Sequence, residues 1–289
     1  LDAAERADRK GNQAVDRGFE VIPPLIIRAS GLPMYADCAR RTATRLIPDQ
    51  IKEWGYSLNE TPHHVGGLVG TATHAGVAHV LERKRESGTA YVDSETKDRA
   101  EAAFKQEAEH GVAWDDVTPK EDVALRQVNR MVGVYTDTIA QAVNVLAVEQ
   151  KLELQTKAGH TLQGRVDLTT EAVRDLKTGK FQSGNVAQYG AYSLLIRGNG
   201  GQVEYVVEDY LKRVAWKEPQ PAPVSSRYET PVAEAAAAAI VRRIEQDYAT
   251  FMEAGDPVSF LANPNSVLCS PKFCPCANTD FCKEHRPFR

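Results

Sequence analysis

Gly164-Arg165-Val166-Asp167 and, past a short polar link, Asp175-Leu176-Lys177-Thr178-Gly179-Lys180 are the stretches on which the reading of this chain turns. Residues 161–168 and 173–177 each read as strands, and the link at 169–171 is short enough to close an antiparallel hairpin. Asp175 and Lys177 are two apart, so they project from one face of their strand. A hairpin centred on Glu171 sets Asp167 opposite Asp175, with Cβ atoms about 5 Å apart. Two facing carboxylates repel unless something positive lies between them. A hard divalent cation resolves the repulsion, and Mg²⁺ or Mn²⁺ takes one or two carboxylates with water and phosphate oxygens. Lys177 on the same face can position or help deprotonate an attacking water. Taken alone, Asp-x-Lys is a common tripeptide that equally describes solvated residues near a turn.

Outward from the hairpin, the pattern is helical on the amino-terminal side. Ser30 opens a helix-like stretch carrying Leu32, Tyr35, Cys38 and Leu46, with Pro48 closing it. Further helices are predicted at about 67–85, 94–110 and 120–147, and a strand at 148–154 leads into the hairpin. Beyond the hairpin come a helix at 186–197, ended by Gly198-Asn199-Gly200-Gly201, a strand at 203–211, a proline-rich link at 219–223 and a long helix at 233–252. The order is mixed α/β around a modest sheet. It divides into a polar leader (1–28), a helical region (29–147), a core (148–215) and a carboxyl-terminal helix with a cysteine cluster (216–289), expected to close into one compact domain.

With these elements in order, Asp167 followed by Asp175-Leu176-Lys177-Thr178-Gly179 resembles the Asp…Asp-x-Lys-Thr-Gly core of RecB-like nucleases of the PD-(D/E)XK superfamily. Gln188 and Tyr192 match that family's helical Gln-x-x-x-Tyr motif, and their i,i+4 spacing puts both on one helix face. Gly70-Thr71-Ala72-Thr73-His74 resembles the upstream Gly-x-x-x-His, and Glu149 matches a family glutamate. The resemblance implies a restriction-endonuclease-like α/β core, a small mixed sheet flanked by helices with an added helical region. It also implies catalytic residues Asp167, Asp175, Lys177, Gln188, Tyr192 and Glu149, and a Mg²⁺ or Mn²⁺ ion held by His74, Asp167, Asp175 and the Leu176 backbone. His63, His64 and His79 compete with His74, which is chosen for its spacing from Gly70.

Cysteine usage adds a second site. Four of five cysteines, Cys269, Cys274, Cys276 and Cys282, crowd the end of the chain, with Cys38 near its start. Such a cluster argues for a metal before disulfides. It resembles the iron–sulfur branch of the same family, which includes CRISPR-associated RecB-like nucleases, the AddB subunit and phage exonucleases. There one cysteine before the core and three after it hold a structural [4Fe–4S] cluster. That resemblance assigns Cys38, Cys269, Cys274 and Cys282, with Cys276 as the alternate ligand. Zinc in a four-cysteine site competes on spacing.

Composition bounds the rest. The chain has 289 residues, is 42% apolar and 26% charged, and carries a net charge of −4, which excludes nucleic-acid binding by bulk positive charge. The clusters Arg40-Arg41…Arg45 and Arg83-Lys84-Arg85 read first as solvated helix faces. No window suggests a membrane span, and residues 1–16 lack the apolar stretch of a secretory signal, so a cytoplasmic setting in a bacterial or phage-infected cell is expected. The leading expectation is a DNA exonuclease on single-stranded or free ends in recombination, repair or phage replication, with a recombination or replication protein as partner and self-association open. The alternatives are a non-cutting nucleic-acid-binding accessory protein that keeps an iron–sulfur or zinc site, and a zinc-bearing interaction module.

Overall fold

The structure, a computed structural model, describes residues 22–282. Most of the proposed leader therefore lies outside the described residues. The chain forms two compact units that follow contacts rather than sequence order. One gathers residues 22–61 with Leu154–Gln163 and 237–282; the other holds Pro62–Glu153 and Gly164–Ala236.

In the first unit, β1 (Ile26–Arg28) pairs in parallel with residues 161–163. Helices α1 (Leu32–Asp37), α2 (Ala39–Leu46) and α3 (Pro48–Glu53) follow. The single helix expected across residues 30–46 is in fact broken at Cys38, whose backbone is extended (φ −154°, ψ 101°). Met34 O accepts from Cys38 N to end α1, and Cys38 O accepts from Thr42 N to begin α2. Pro48 opens α3 instead of closing a helix, since a first-turn proline has no missing hydrogen bond to answer for. An aromatic core of Trp54, Phe251, Phe260 and Phe281 binds this unit, with ring centroids 5.4–6.5 Å apart. Arg40 and Arg41 are buried rather than solvated: Arg40 donates to the carbonyls of Phe260 and Phe281, and Arg41 to Asp37 and Ser266.

The second unit carries helices α4 (Val65–Ser87), α5 (Ser94–Ala108) and α6 (Glu121–Tyr135), with a short parallel bridge between β2 (His63–His64) and β3 (Val112–Ala113). Its sheet comes from β4 (Ala147–Gln155), β5 (Thr161–Thr169), β6 (Val173–Gly179), β7 (Tyr205–Lys212) and β8 (Val224–Glu229). The order is β5-β6-β7-β8, with β4 also on β5. β5 and β6 are antiparallel, β6 and β7 parallel, β7 and β8 antiparallel. Parallel neighbours need a crossover, which α7 (Val186–Gly198) supplies. The long helix α8 (Thr230–Ala254) follows β8. A hydrophobic core joins α4, α5 and α6 to Leu168, Leu176 and Leu211 of the sheet. This is the mixed sheet flanked by helices that the sequence leads one to expect. β8 is absent from the sequence reading because Val-Ser-Ser-Arg-Tyr-Glu is mostly exposed and lacks apolar alternation. Among the described residues, no helix is long and apolar enough to cross a membrane.

Candidate active site

The hairpin adopts the register read from sequence: Leu168 lies opposite Arg174 and Thr169 opposite Val173. Asp167 comes next. There its carboxylate takes over from the backbone ladder, and Oδ2 accepts the Leu176 amide at 2.8 Å. Helix α4 approaches this corner because Gly70 allows it; a Cβ at Gly70 would come within 2.9 Å of the Thr178 hydroxyl. One turn later, on the same helix face, His74 places Nδ1 3.4 Å from Asp167 Oδ1. This explains the Gly-x-x-x-His spacing: the glycine seats the helix and the histidine uses the approach.

Glu149 on β4 completes the cluster. One ligand atom from each of His74, Glu149 and Asp167 lies within 4.8 Å of the others. Glu149 has φ +50°, a left-handed conformation uncommon outside glycine, and its carboxylate meets Arg165 at 3.3 Å. Asp175 is fully buried. Its Oδ2 stands 2.7 Å from Lys177 Nζ, and its Oδ1 accepts from Gln188 Nε2 at 3.2 Å. Gln188 Nε2 also reaches the Tyr192 hydroxyl at 2.6 Å, so the two helical residues brace Asp175 from α7. Asp175 Oδ2 is thus held by the Lys177 ammonium.

The electrostatics follow from crowding. Burial, the largest effect, drives the Asp175 carboxyl up to about 7, with the Asp167 charge adding and Lys177 opposing. Burial would also raise Asp167, but His74, Lys177 and the Leu176 amide hold it below the usual carboxylate range. Burial favours a neutral His74 ring, yet the Asp167 carboxylate outweighs it and lifts the ring to about 9. Glu149 is raised, by burial first and then by Asp167. Acids packed this tightly beside a histidine are a donor set suited to a hard divalent cation.

Sequence reasoning missed two buried acids beside this site. Glu208 on β7 stands opposite Asp175 in the parallel ladder and bonds the Tyr189 hydroxyl. Asp209 takes a bidentate pair from Arg174 at 2.7 and 2.8 Å. Both sit within the buried run Val206–Leu211, and charges amid that apolar stretch are the signal that could have found them. Of the competing histidines, His64 caps α4 by accepting from Gly66 N, His63 meets Glu107, and His79 meets Arg83.

The five cysteines belong to the first unit, and all line one small cavity together with Arg41. The helix break delivers Cys38 there, and its Sγ accepts from Asn263 N at 3.4 Å. Cys274 and Cys276 place their sulfurs 3.4 Å apart. The Cys269 thiol is raised by burial and then by Cys274, Cys282 and Cys38, the mark of mutual crowding. Cys274, helped by a hydrogen bond from Cys276, falls to about 7.

Residues 29–282 match a family model described as the PD-(D/E)XK nuclease superfamily. A crystal structure from Eubacterium rectale, of a protein provisionally named an exonuclease, is similar in fold: TM-score 0.57 and 12% identity, covering 100% of this chain and 94% of the other. A second solved protein, SSO0001, covers 72% of this chain and 84% of its own at 15% identity, with a TM-score of 0.31. None of the curated protein sequences matches this chain.

Proposed function

The chain belongs to the PD-(D/E)XK nuclease superfamily, and on that premise we propose that it is a Mg²⁺- or Mn²⁺-dependent DNA exonuclease acting at single-stranded ends. One observation carries the metal dependence. His74, Glu149 and Asp167 offer ligand atoms within 4.8 Å of one another, and the hairpin that carries Asp167 also carries the buried Asp175. His74, Asp167, Asp175 and the backbone of Leu176 are the groups that would hold the ion. When bound, such an ion polarises the phosphorus–oxygen bond and lowers the pKa of its water.

The chain's own residues do the remaining work. Lys177, 2.7 Å from Asp175, orients the attacking water and offsets negative charge developing on the phosphate. Gln188 and Tyr192 fix the Asp175 carboxylate, so its direction is set before substrate arrives. Glu149, next to His74 and Asp167, stands where it can take a proton. End-labelled single-stranded DNA incubated with Mn²⁺ tests this. Asp175→Ala is expected to cut at least about a hundredfold more slowly than wild type, and equal rates would end the assignment. Labelling either terminus in turn gives the polarity.

For the cysteines we propose a structural [4Fe–4S] cluster on Cys38, Cys269, Cys274 and Cys282, with Cys276 as the alternate ligand. The support is that all five line one cavity, where several close thiolates repel unless a cation compensates them. A brown protein absorbing near about 400 nm is expected; a colourless protein carrying one zinc would replace the cluster with a tetrahedral zinc site. A role in recombination, repair or phage replication inside the cell is the setting this activity suits.

A further inference from the structure

β6 and β7 run parallel, with Gly179 opposite Lys212, so their following loops leave the sheet at one end. The next residues along, Lys180 and Arg213, both reach Asp115, at 3.4 and 2.7 Å. Each member of this ion cluster has an exposed aromatic close by in sequence. Trp114 precedes Asp115, Phe181 follows Lys180, and Trp216 lies three residues past Arg213. Their exposures are 37%, 86% and 44%, whereas the remaining tryptophan, Trp54, is buried. Rings of this size ordinarily give up area to the core.

Two further features suit this surface to a polyanion carrying flat rings. Arg126 lies 4.9 Å over the Trp216 ring and Lys217 5.7 Å from it. The Trp216 loop is held in place, since Arg130 donates to the carbonyls of Trp216 and Glu218 at 2.8 and 2.6 Å. A rigid aromatic stacks a base on its open face, and Lys217 beside it leaves a charge for the phosphate, Arg126 being paired with Asp122. Lys177 of the active site lies three residues before Lys180, at most about 11 Å of extended chain. A strand engaged there passes within reach of the Phe181 ring.

We propose that Trp114, Phe181 and Trp216, each carried by a segment that joins the Asp115 ion cluster, form a stacking platform for the unpaired bases of a single-stranded nucleic acid, a surface that rests on the nuclease reading above and deepens it. Bases in a duplex are already paired and stacked, so the platform selects single strands. It also answers how a chain of net charge −4 holds DNA: by stacking and a few local cations in place of bulk charge.

The test uses the full chain with Ca²⁺ in place of the hydrolytic metal and a short oligodeoxythymidylate as probe, read by tryptophan fluorescence. The oligonucleotide is expected to quench emission, because two of the three tryptophans stand on the platform. Phe181→Ala and Trp216→Ala should each weaken binding about five- to a hundredfold, while Phe181→Tyr keeps it. A blunt duplex of the same length should bind more weakly and respond less to these changes. Exposed positions contribute little to folding, so the variants should melt with wild type. Binding without quenching, or alanine variants that bind as wild type does, would overturn the platform and leave the nuclease reading standing. A wild-type protein that binds neither strand nor duplex would overturn both.

Discussion

At the scale of single residues, Cys38 and Asp175 show how a local environment sets chemical character. Cys38 owes its position to one extended residue between two helices, and that break is fastened from Asp37, whose carboxylate takes Arg41 at 2.7 Å and Ser266 at 2.7 Å. Substituting cysteines one at a time sorts ligands from bystanders. Cys38→Ser and Cys282→Ser are expected to lose colour and iron and to lower solubility, with activity falling only as the fold loosens. Cys276→Ser is expected to keep about four irons per chain; iron lost from Cys276→Ser but kept by Cys274→Ser would exchange the two in the ligand set. Asp175 shows the converse case, a carboxylate whose burial is tolerable because Lys177 and Gln188 face it.

Between elements, glycines mark where one backbone must come close to another. A Cβ on Gly190 of α7 would run into the backbone of Ala233 and Glu234 at the start of α8. Because nothing flexible can yield there, Gly190→Ala is expected to cost about 1–3 kcal/mol in urea unfolding. It should also slow DNA cutting, since α7 carries Gln188 and Tyr192. Gly133, in the interior of α6 with open space around it, is the control. Gly133→Ala should stabilise by about 0.5–1 kcal/mol through helix propensity. Matching changes in the two variants would contradict the close approach of α7 and α8.

For the molecule as a whole, acid is the revealing variable, because each unit has a carboxylate holding separate segments together. Asp115 ties the 114–118 loop to Arg213 and Lys180. Burial opposes its charge, but the Arg213 hydrogen bonds and charge prevail and hold the carboxyl below its usual range. Asp37 is likewise depressed, with burial opposing and Ser266 and Arg41 lowering it. A carboxylate depressed by folding contributes its full stability above its unfolded value, about 3.9, and loses it as pH falls toward the folded value. These two carboxylates should make thermal melts fall steeply below about pH 4, whereas Asp175, raised by burial to about 7, should add stability as pH drops from 7 toward about 4. Asp115→Asn should lower stability at neutral pH by about 3 kcal/mol, as expected for breaking one side of a buried pair, and should flatten part of the acid dependence. An unchanged acid profile in that variant would remove Asp115 from this role.

Taken by itself, the sequence determined the α/β class, the hairpin register that leads to Asp167 and Asp175, and the i,i+4 pairs Gly70/His74 and Gln188/Tyr192. These are consequences of period and spacing within one or two adjacent elements, and such geometry is local. It could not show that Glu208 and Asp209 are buried beside the site, since strand pairing brings them there from more than thirty residues away. Nor could it show that Arg40 and Arg41 are interior, or that β8 exists, because a polar segment becomes a strand only when a neighbour supplies the hydrogen bonds. Only the tertiary structure brought Lys180 and Arg213 to Asp115 and divided the chain into units that interleave along it. Long-range contacts decide both, and no local period encodes them.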